Sequence, residues 1–166
     1  MPFAKTLEVY GTDKKSASFP LSNYLVSVDP SAYYTVIFVQ ADIKPADPLT
    51  NPLSTINYSY FGNEEYLMYG YWMNLTLSLN DTLSLIEHST QYKFNLTCFV
   101  AVNQSEIQGL RGVLGLAASN GVVQENFSAL YILNKTYNLP IDFVSIYAVT
   151  DTLYNLQVGY ISFSYN

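Results

Sequence analysis

Arg111-Gly112-Val113-Leu114-Gly115-Leu116-Ala117-Ala118 is the stretch on which the fold turns. Two glycines bracket a branched apolar pair, in a region otherwise made of strand-like segments. Glycine inside a strand pattern marks a bulge, a sharp bend or a point where another backbone passes close. Placed around Val113 and Leu114, the two glycines predict a buried strand that threads tightly past a neighbour.

The flanking chain supplies the neighbours. Residues 33–41 (Tyr-Tyr-Thr-Val-Ile-Phe-Val-Gln-Ala) lie between Pro30 and Pro45 and are β-branched and aromatic, the composition of a buried strand. Residues 23–28 read as a further strand, closed by Asp29 and Pro30. Before it, residues 2–19 are polar and weakly patterned apart from Leu7-Glu8-Val9-Tyr10. Residues 1–19 are therefore read as an amino-terminal arm or edge strand, and 20–166 as one β-rich domain. Three prolines make 44–52 a loop. Residues 56–61 and 66–79 form a long hairpin with Gly62 and Asn63 in its turn region. Its second arm alternates, with Met73, Leu75, Leu77 and Leu79 on one face and Asn74, Thr76 and Ser78 on the other. The same period puts Leu96, Cys98 and Val100 inward and Asn95 and Thr97 outward. After the glycine segment, Phe127, Leu130, Tyr131 and Leu133 recur at near-helical spacing, predicting one helix over 125–134. Residues 143–149 and 156–165 close the chain as strands.

Composition bounds function. The 166 residues suffice for one domain with a real core, and 49% apolar against 12% charged residues excludes disorder. The net charge of −6, with only Lys14 and Lys15 adjacent, points away from nucleic acid and from a basic membrane-binding face. No apolar run is long enough to span a bilayer as a helix. Asn-X-Ser/Thr acceptors begin at Asn57, Asn74, Asn80, Asn95, Asn103, Asn126 and Asn134. With 28 Ser and Thr in 166 residues, the 14 asparagines would start about two by chance. The excess points to an extracellular or lumenal chain carrying N-linked glycans, secreted or at the cell surface, although residues 1–5 lack the apolar core of a signal peptide. The single Cys98 excludes an internal disulfide, and its setting in Phe94-Asn-Leu-Thr-Cys-Phe-Val100 predicts a buried thiol.

The segment Gly112-Val113-Leu114-Gly115-Leu116-Ala117 resembles the hydrophobic-hydrophobic-glycine element of pepsin-like aspartic peptidases, which in that family packs across the loop carrying the catalytic aspartate. Residues 23–25 and 35–38 are similar to the first strands of such a lobe, and 58–79, with Tyr60 and Gly70, to its flap hairpin. Residues 143–147 and 156–161 resemble its closing strands, in the right order. The resemblance implies an all-β fold, a closed or partly open barrel lobe with one short helix. A β-sandwich with an amino-terminal arm strand is the alternative.

The same resemblance argues against catalysis. The strand 35–38 is expected to lead into Asp-Thr/Ser-Gly, and the chain reads Val39-Gln40-Ala41 there. Acid hydrolysis needs two carboxylates sharing one proton, and neither Val39 nor Gln40 supplies one. Asp42 is displaced, and Asp81-Thr82-Leu83 and Asp151-Thr152-Leu153 lack the glycine. His88 is the only histidine, so a His-based metal cluster is not expected, and no Gly-X-Ser-X-Gly elbow accompanies it. Glu64 and Glu65 read as a solvated pair at the hairpin, and Tyr58, Tyr60, Tyr66, Tyr69, Tyr71 and Trp72 as packing residues. No catalytic residue, metal or cofactor is therefore assigned.

Three function classes follow. A solitary lobe leaves strand edges open, and open edges pair with other chains, so the first is a self-assembling structural subunit of a filament or coat. Phe3, Leu7, Val9 and Tyr10 are its expected assembly arm, added to a neighbouring copy or tucked into its own lobe. A non-cleaving peptide or glycan recognition module is the alternative. A peptidase that dimerises like a retroviral protease comes third.

Overall fold

The computed structural model describes residues 4–11, 22–38, 52–60, 64–80, 91–104, 106–107, 109–117, 125–138, 143–153 and 156–164. Nine strands follow one another as β1 (Ala4–Gly11), β2 (Ser22–Asp29), β3 (Val36–Phe38), β4 (Ser54–Tyr60), β5 (Glu64–Asn80), β6 (Gln91–Ala101), β7 (Gly112–Gly115), β8 (Phe143–Asp151) and β9 (Leu156–Ser164). Between β7 and β8 lie a 3-10 turn, Glu125–Phe127, and one α-helix, α1 (Ala129–Tyr137). The fold is all-β with one short helix, as its alternating segments require.

Seven strands form one sheet in the order β1-β2-β7-β3-β6-β5-β4, and β1 also pairs with β5. The sheet thus curls until six strands make a ring of pairings. The 17-residue β5 makes this possible. One of its edges pairs with β6 from Gly70↔Ala101 to Asn80↔Gln91. Its other edge takes β4 from Tyr60↔Glu64 to Ser54↔Gly70, then β1 from Gly11↔Leu75 to Leu7↔Leu79. β8 and β9 form a separate two-stranded hairpin.

The alternation read in the sequence sets the inner face. Met73, Leu75, Leu77, Leu96, Cys98 and Val100 join Leu7, Val9, Val26, Val28, Ile37 and Leu114 in one buried cluster. Ala129 and Leu133 of α1 pack on the same cluster. A second cluster, with Val36, Phe38, Met68, Phe99 and Val113, uses the opposite face of β3, β6 and β7. That is why β3 and β7 are buried at every position: both faces are covered, so their sequences run continuously apolar. Asn74 and Asn95 face outward and are exposed. Ser78, expected outward, is fully buried on a stretch of β5 flanked by β1 and β6.

Several boundaries depart from the sequence reading. The strand expected over 33–41 is β3 alone; Tyr33 and Tyr34 sit in the bend before it, and 39–41 lie outside the described residues. The helix begins at Ala129, with Ser128 as its cap, and runs to Tyr137. Gly62, Asn63, Asp42, Asp81, His88, Lys14 and Lys15 lie outside the described residues.

The amino-terminal segment requires the largest correction. β1 is an internal stave: antiparallel to β2 from Ala4↔Ser27 to Val9↔Ser22 on one edge, and to β5 on the other. Leu7 and Val9 are fully buried in the inner cluster. Burial of two such side chains is worth about 4 kcal/mol, before any main-chain hydrogen bond is counted. Tyr10 pairs in register with Thr76, and Phe3 lies outside the described residues. Over Leu7 to Val9 the segment is tucked into its own lobe, paired with β2 on one edge and β5 on the other.

Candidate functional site

The site forms where β7 threads between β2 and β3. β2 carries Tyr24, Val26 and Val28 inward, then meets Pro30, which lacks an N–H and holds the preceding residue extended. The strand therefore stops at Asp29. The Ser31 N–H donates to Asp29 Oδ1 at 2.9 Å and the Ser31 hydroxyl donates to the same oxygen at 2.6 Å. This aspartate-anchored turn sends the chain through Ala32, Tyr33 and Tyr34 to Thr35.

β7 runs parallel to β2, with Val28↔Leu114 and Asp29↔Gly115 in register, and antiparallel to β3, with Val36↔Val113. The Leu116 N–H donates to the Asp29 carbonyl at 3.0 Å, and the Ala117 N–H to the Ala32 carbonyl at 3.0 Å. The Gly115 N–H donates to Thr35 Oγ1 at 3.2 Å. Both glycines are explained by close approach. A Cβ at Gly112 would stand 2.5 Å from the Val36 carbonyl oxygen, and one at Gly115 2.6 Å from that of Ala32 and 2.7 Å from that of Tyr34. The tight threading expected of this segment is what the structure contains.

The glycine segment packs across the loop between β2 and β3, while residues 39–41 lie outside the described residues. The carboxylate at the start of that loop is Asp29, followed by Pro30 and Ser31. The loop crossed by β7 thus carries an acid at its start. In the sequence, the Asp29-Pro30 dipeptide reads as the end of a strand.

Asp29 is 4% exposed and lines a cleft of about 320 Å³ together with Ser31, Tyr33, Tyr34, Asn57 and Tyr58. The Tyr58 hydroxyl donates to the Tyr34 carbonyl at 3.5 Å. Tyr34 leans edge-on against Trp72 and Phe127, at 5.3 and 5.8 Å between ring centroids. Trp72 also meets Phe99 at 5.1 Å, so the aromatic cluster is largely packing. Tyr58 and Tyr71 are buried; Tyr69 is exposed. The cleft offers one fixed carboxylate and a tyrosine wall, enough to hold a polar group but not to supply a carboxylate pair by itself.

A second, more open groove of about 540 Å³ lies between β6 and α1, lined by Thr76, Lys93, Asn95, Ile132, Lys135 and Thr136. It sits among the candidate acceptors. Asn57, Asn74, Asn95, Asn103, Asn126 and Asn134 are all exposed, and Asn80 ends β5. Two acceptor triplets face each other across β5 and β6, with Asn74↔Thr97 and Thr76↔Asn95 in register. The Thr76 hydroxyl donates to Asn95 Oδ1 at 2.8 Å, and Asn126 Nδ2 donates to Thr97 Oγ1 at 3.3 Å. Asn103 is placed differently: its Oδ1 accepts from the Tyr69 N–H at 2.9 Å and its Nδ2 donates to the Leu67 carbonyl at 3.1 Å.

Cys98 is fully buried and unpaired with another cysteine, its thiol donating to the Leu96 carbonyl at 3.5 Å. Burial pushes the thiol pKa well above its ordinary value.

Compared with protein-family models, curated proteins and solved structures, the chain finds no match.

Proposed function

We propose that the chain is a non-catalytic, N-glycosylated structural subunit, secreted or held at the cell surface, built on a pepsin-like lobe and assembling with copies of itself through an open strand edge. The supporting observation is the β8–β9 hairpin. Residues 145–150 of β8 are exposed on both faces, among them Ile146, Tyr147 (55%) and Val149 (47%). A two-stranded hairpin is marginal in water and gains from a third strand. Among the described residues β8 pairs only with β9. Residues 143–164 contain no proline and one charged residue, Asp151, so two copies meeting there bring little of the −6 net charge together. The assembly role passes from the amino-terminal arm, paired on both edges over Leu7 to Val9, to this edge. Light scattering and negative-stain imaging test it. The wild type should form assemblies that Ile146→Lys and Val149→Lys disperse. A wild type that stays monomeric at all concentrations refutes the reading.

A second reading, a peptidase completed by dimerisation, is favoured by one observation, the position of Asp29 beside Gly115. Two lobes facing each other would bring two such carboxylates together, the arrangement in which one proton is shared. Pro30 and Ser31 stand where Thr/Ser-Gly is expected, and this weighs for the non-catalytic reading. Cleavage of a denatured protein at acid pH, abolished by Asp29→Asn, would reverse that choice.

A further inference from the structure

The sequons look equivalent in sequence, but the structure gives their carboxamides different work. β5 continues towards Glu64 after β6 has ended at Ala101. The exposed edge left at residues 67–69 is completed by two groups from the chain just beyond β6. The Val102 N–H donates to the Tyr69 carbonyl at 2.8 Å. The Asn103 carboxamide then takes the place of one more backbone partner, accepting from the Tyr69 N–H and donating to the Leu67 carbonyl.

Both groups it engages lie on one edge of one strand. For a single planar amide to meet them, the Nδ2 hydrogen used must be the one on the same side as Oδ1. A glycosylated asparagine has lost that hydrogen. Its side chain becomes a secondary amide, and like a peptide it places the new substituent trans to Cβ and therefore syn to the oxygen. The sugar would stand where the Leu67 carbonyl now sits. Asn95 is not in this position, because its hydrogen bond from Thr76 is made at Oδ1, which the glycosyl amide keeps.

We propose that the fold divides the acceptors: Asn95 carries a glycan, while Asn103 stays unmodified and serves as the clamp that completes the β5 edge. This rests on the glycoprotein reading above. Native-source protein should be mapped by glycopeptide mass spectrometry. Asn95 and Asn103 both fall between Lys93 and Arg111, so chymotryptic cleavage after Phe99 is needed to separate them. Sugar mass is expected on the Asn95 peptide and not on the Asn103 peptide. In parallel, Ser105→Ala, which removes the acceptor and spares the amide, should leave both glycan mass and denaturation midpoint unchanged. Asn103→Ala should leave glycan mass unchanged and lower the folding equilibrium constant about ten-fold, the worth of an exposed hydrogen-bonded pair. Sugar on Asn103, or an Asn103→Ala midpoint equal to wild type, overturns the proposal. Sugar on no asparagine removes the glycoprotein reading along with it, whereas sugar on both Asn95 and Asn103 removes this inference alone.

Discussion

Gly115→Ala should be strongly destabilising, because it sets a methyl group against two backbone carbonyls. The added Cβ would lie 2.6 Å from the Ala32 carbonyl oxygen and 2.7 Å from that of Tyr34, where ordinary contact begins at 3.4 Å. Both obstacles are backbone, so neither can rotate aside; the loop from Asp29 to Thr35 has to retreat by most of an ångström. Overpacking of this kind costs about 1–3 kcal/mol. The Ala32 oxygen also accepts from the Ala117 N–H, and moving it weakens that bond, adding roughly 1 kcal/mol. The expected loss is about 3 kcal/mol, a large share of the 5–15 kcal/mol typical of a domain. Urea denaturation followed by Trp72 fluorescence measures it, with a lower midpoint at unchanged slope. Gly109→Ala is the control: a Cβ there meets nothing within 4 Å, but φ is +79°, so backbone strain alone applies, about 1–2 kcal/mol. If Gly115→Ala falls within 0.5 kcal/mol of wild type, or costs less than Gly109→Ala, the crossing of β7 under the loop is misdescribed.

Two further outcomes follow from single side chains. Cys98 is protonated in the fold well above the pH at which an unfolded thiol ionises, so its contribution is intact below about pH 8.5 and falls by about 1.4 kcal/mol per pH unit above it; denaturation midpoints between pH 7 and 10 should slope downward in wild type, and the one-proton part of that slope should vanish in Cys98→Ala. Ser128 accepts from the Tyr131 N–H at 3.3 Å as the cap of α1, so Ser128→Ala should cost about 1 kcal/mol by the same assay.

What the sequence discloses about this fold is whatever is local. Residues 73–77 and 94–98 alternate because one face of each strand lies in the core, and their register, Met73↔Cys98 to Leu77↔Phe94, matches inward with inward. The two glycines around Val113 are legible because no side chain tolerates a carbonyl so near. β1 is not legible as an internal stave. Its apolar content is Leu7 and Val9, and its partner Leu79 is more than sixty residues away, so nothing near it in the chain says that both edges are occupied. Phe127 fitted a helical period, yet it belongs to the 3-10 turn, where its ring meets Trp72 at 5.0 Å; the cap signal at Ser128 marked the true start. Asp29 was hidden for a similar reason. Asp-Pro is a strong turn signal, and only the parallel pairing of β2 with β7, a contact between residues about 86 apart, reveals that the turn is the one the glycine segment crosses.

The distribution of acceptors gives the assembly reading its sharpest test. Among the described residues, β4 at the end of the seven-stranded sheet and β8 and β9 in the hairpin keep one whole edge without a strand partner. β4 bears the exposed acceptor Asn57 and is preceded by Pro52, and a bulky sugar or a missing N–H is what keeps an edge from pairing. No acceptor occurs after Asn134, so the hairpin would stay bare on a fully glycosylated chain. If β8 is the connector, a sugar placed there must block assembly as Asn57 would block β4. Ala148→Asn creates an Asn-Val-Thr acceptor over residues 148–150, at a position exposed on β8. Produced where acceptors are modified, the variant should gain one glycan and remain dispersed in light scattering. Produced where they are not, it should assemble like wild type, because a single exposed Ala-to-Asn change leaves the strand's main-chain donors and acceptors in place. Glycosylated variant that assembles as readily as wild type would show that copies do not meet along β8. An unglycosylated variant that fails to assemble would mean that the small side chain itself, not the open edge, was what the contact required.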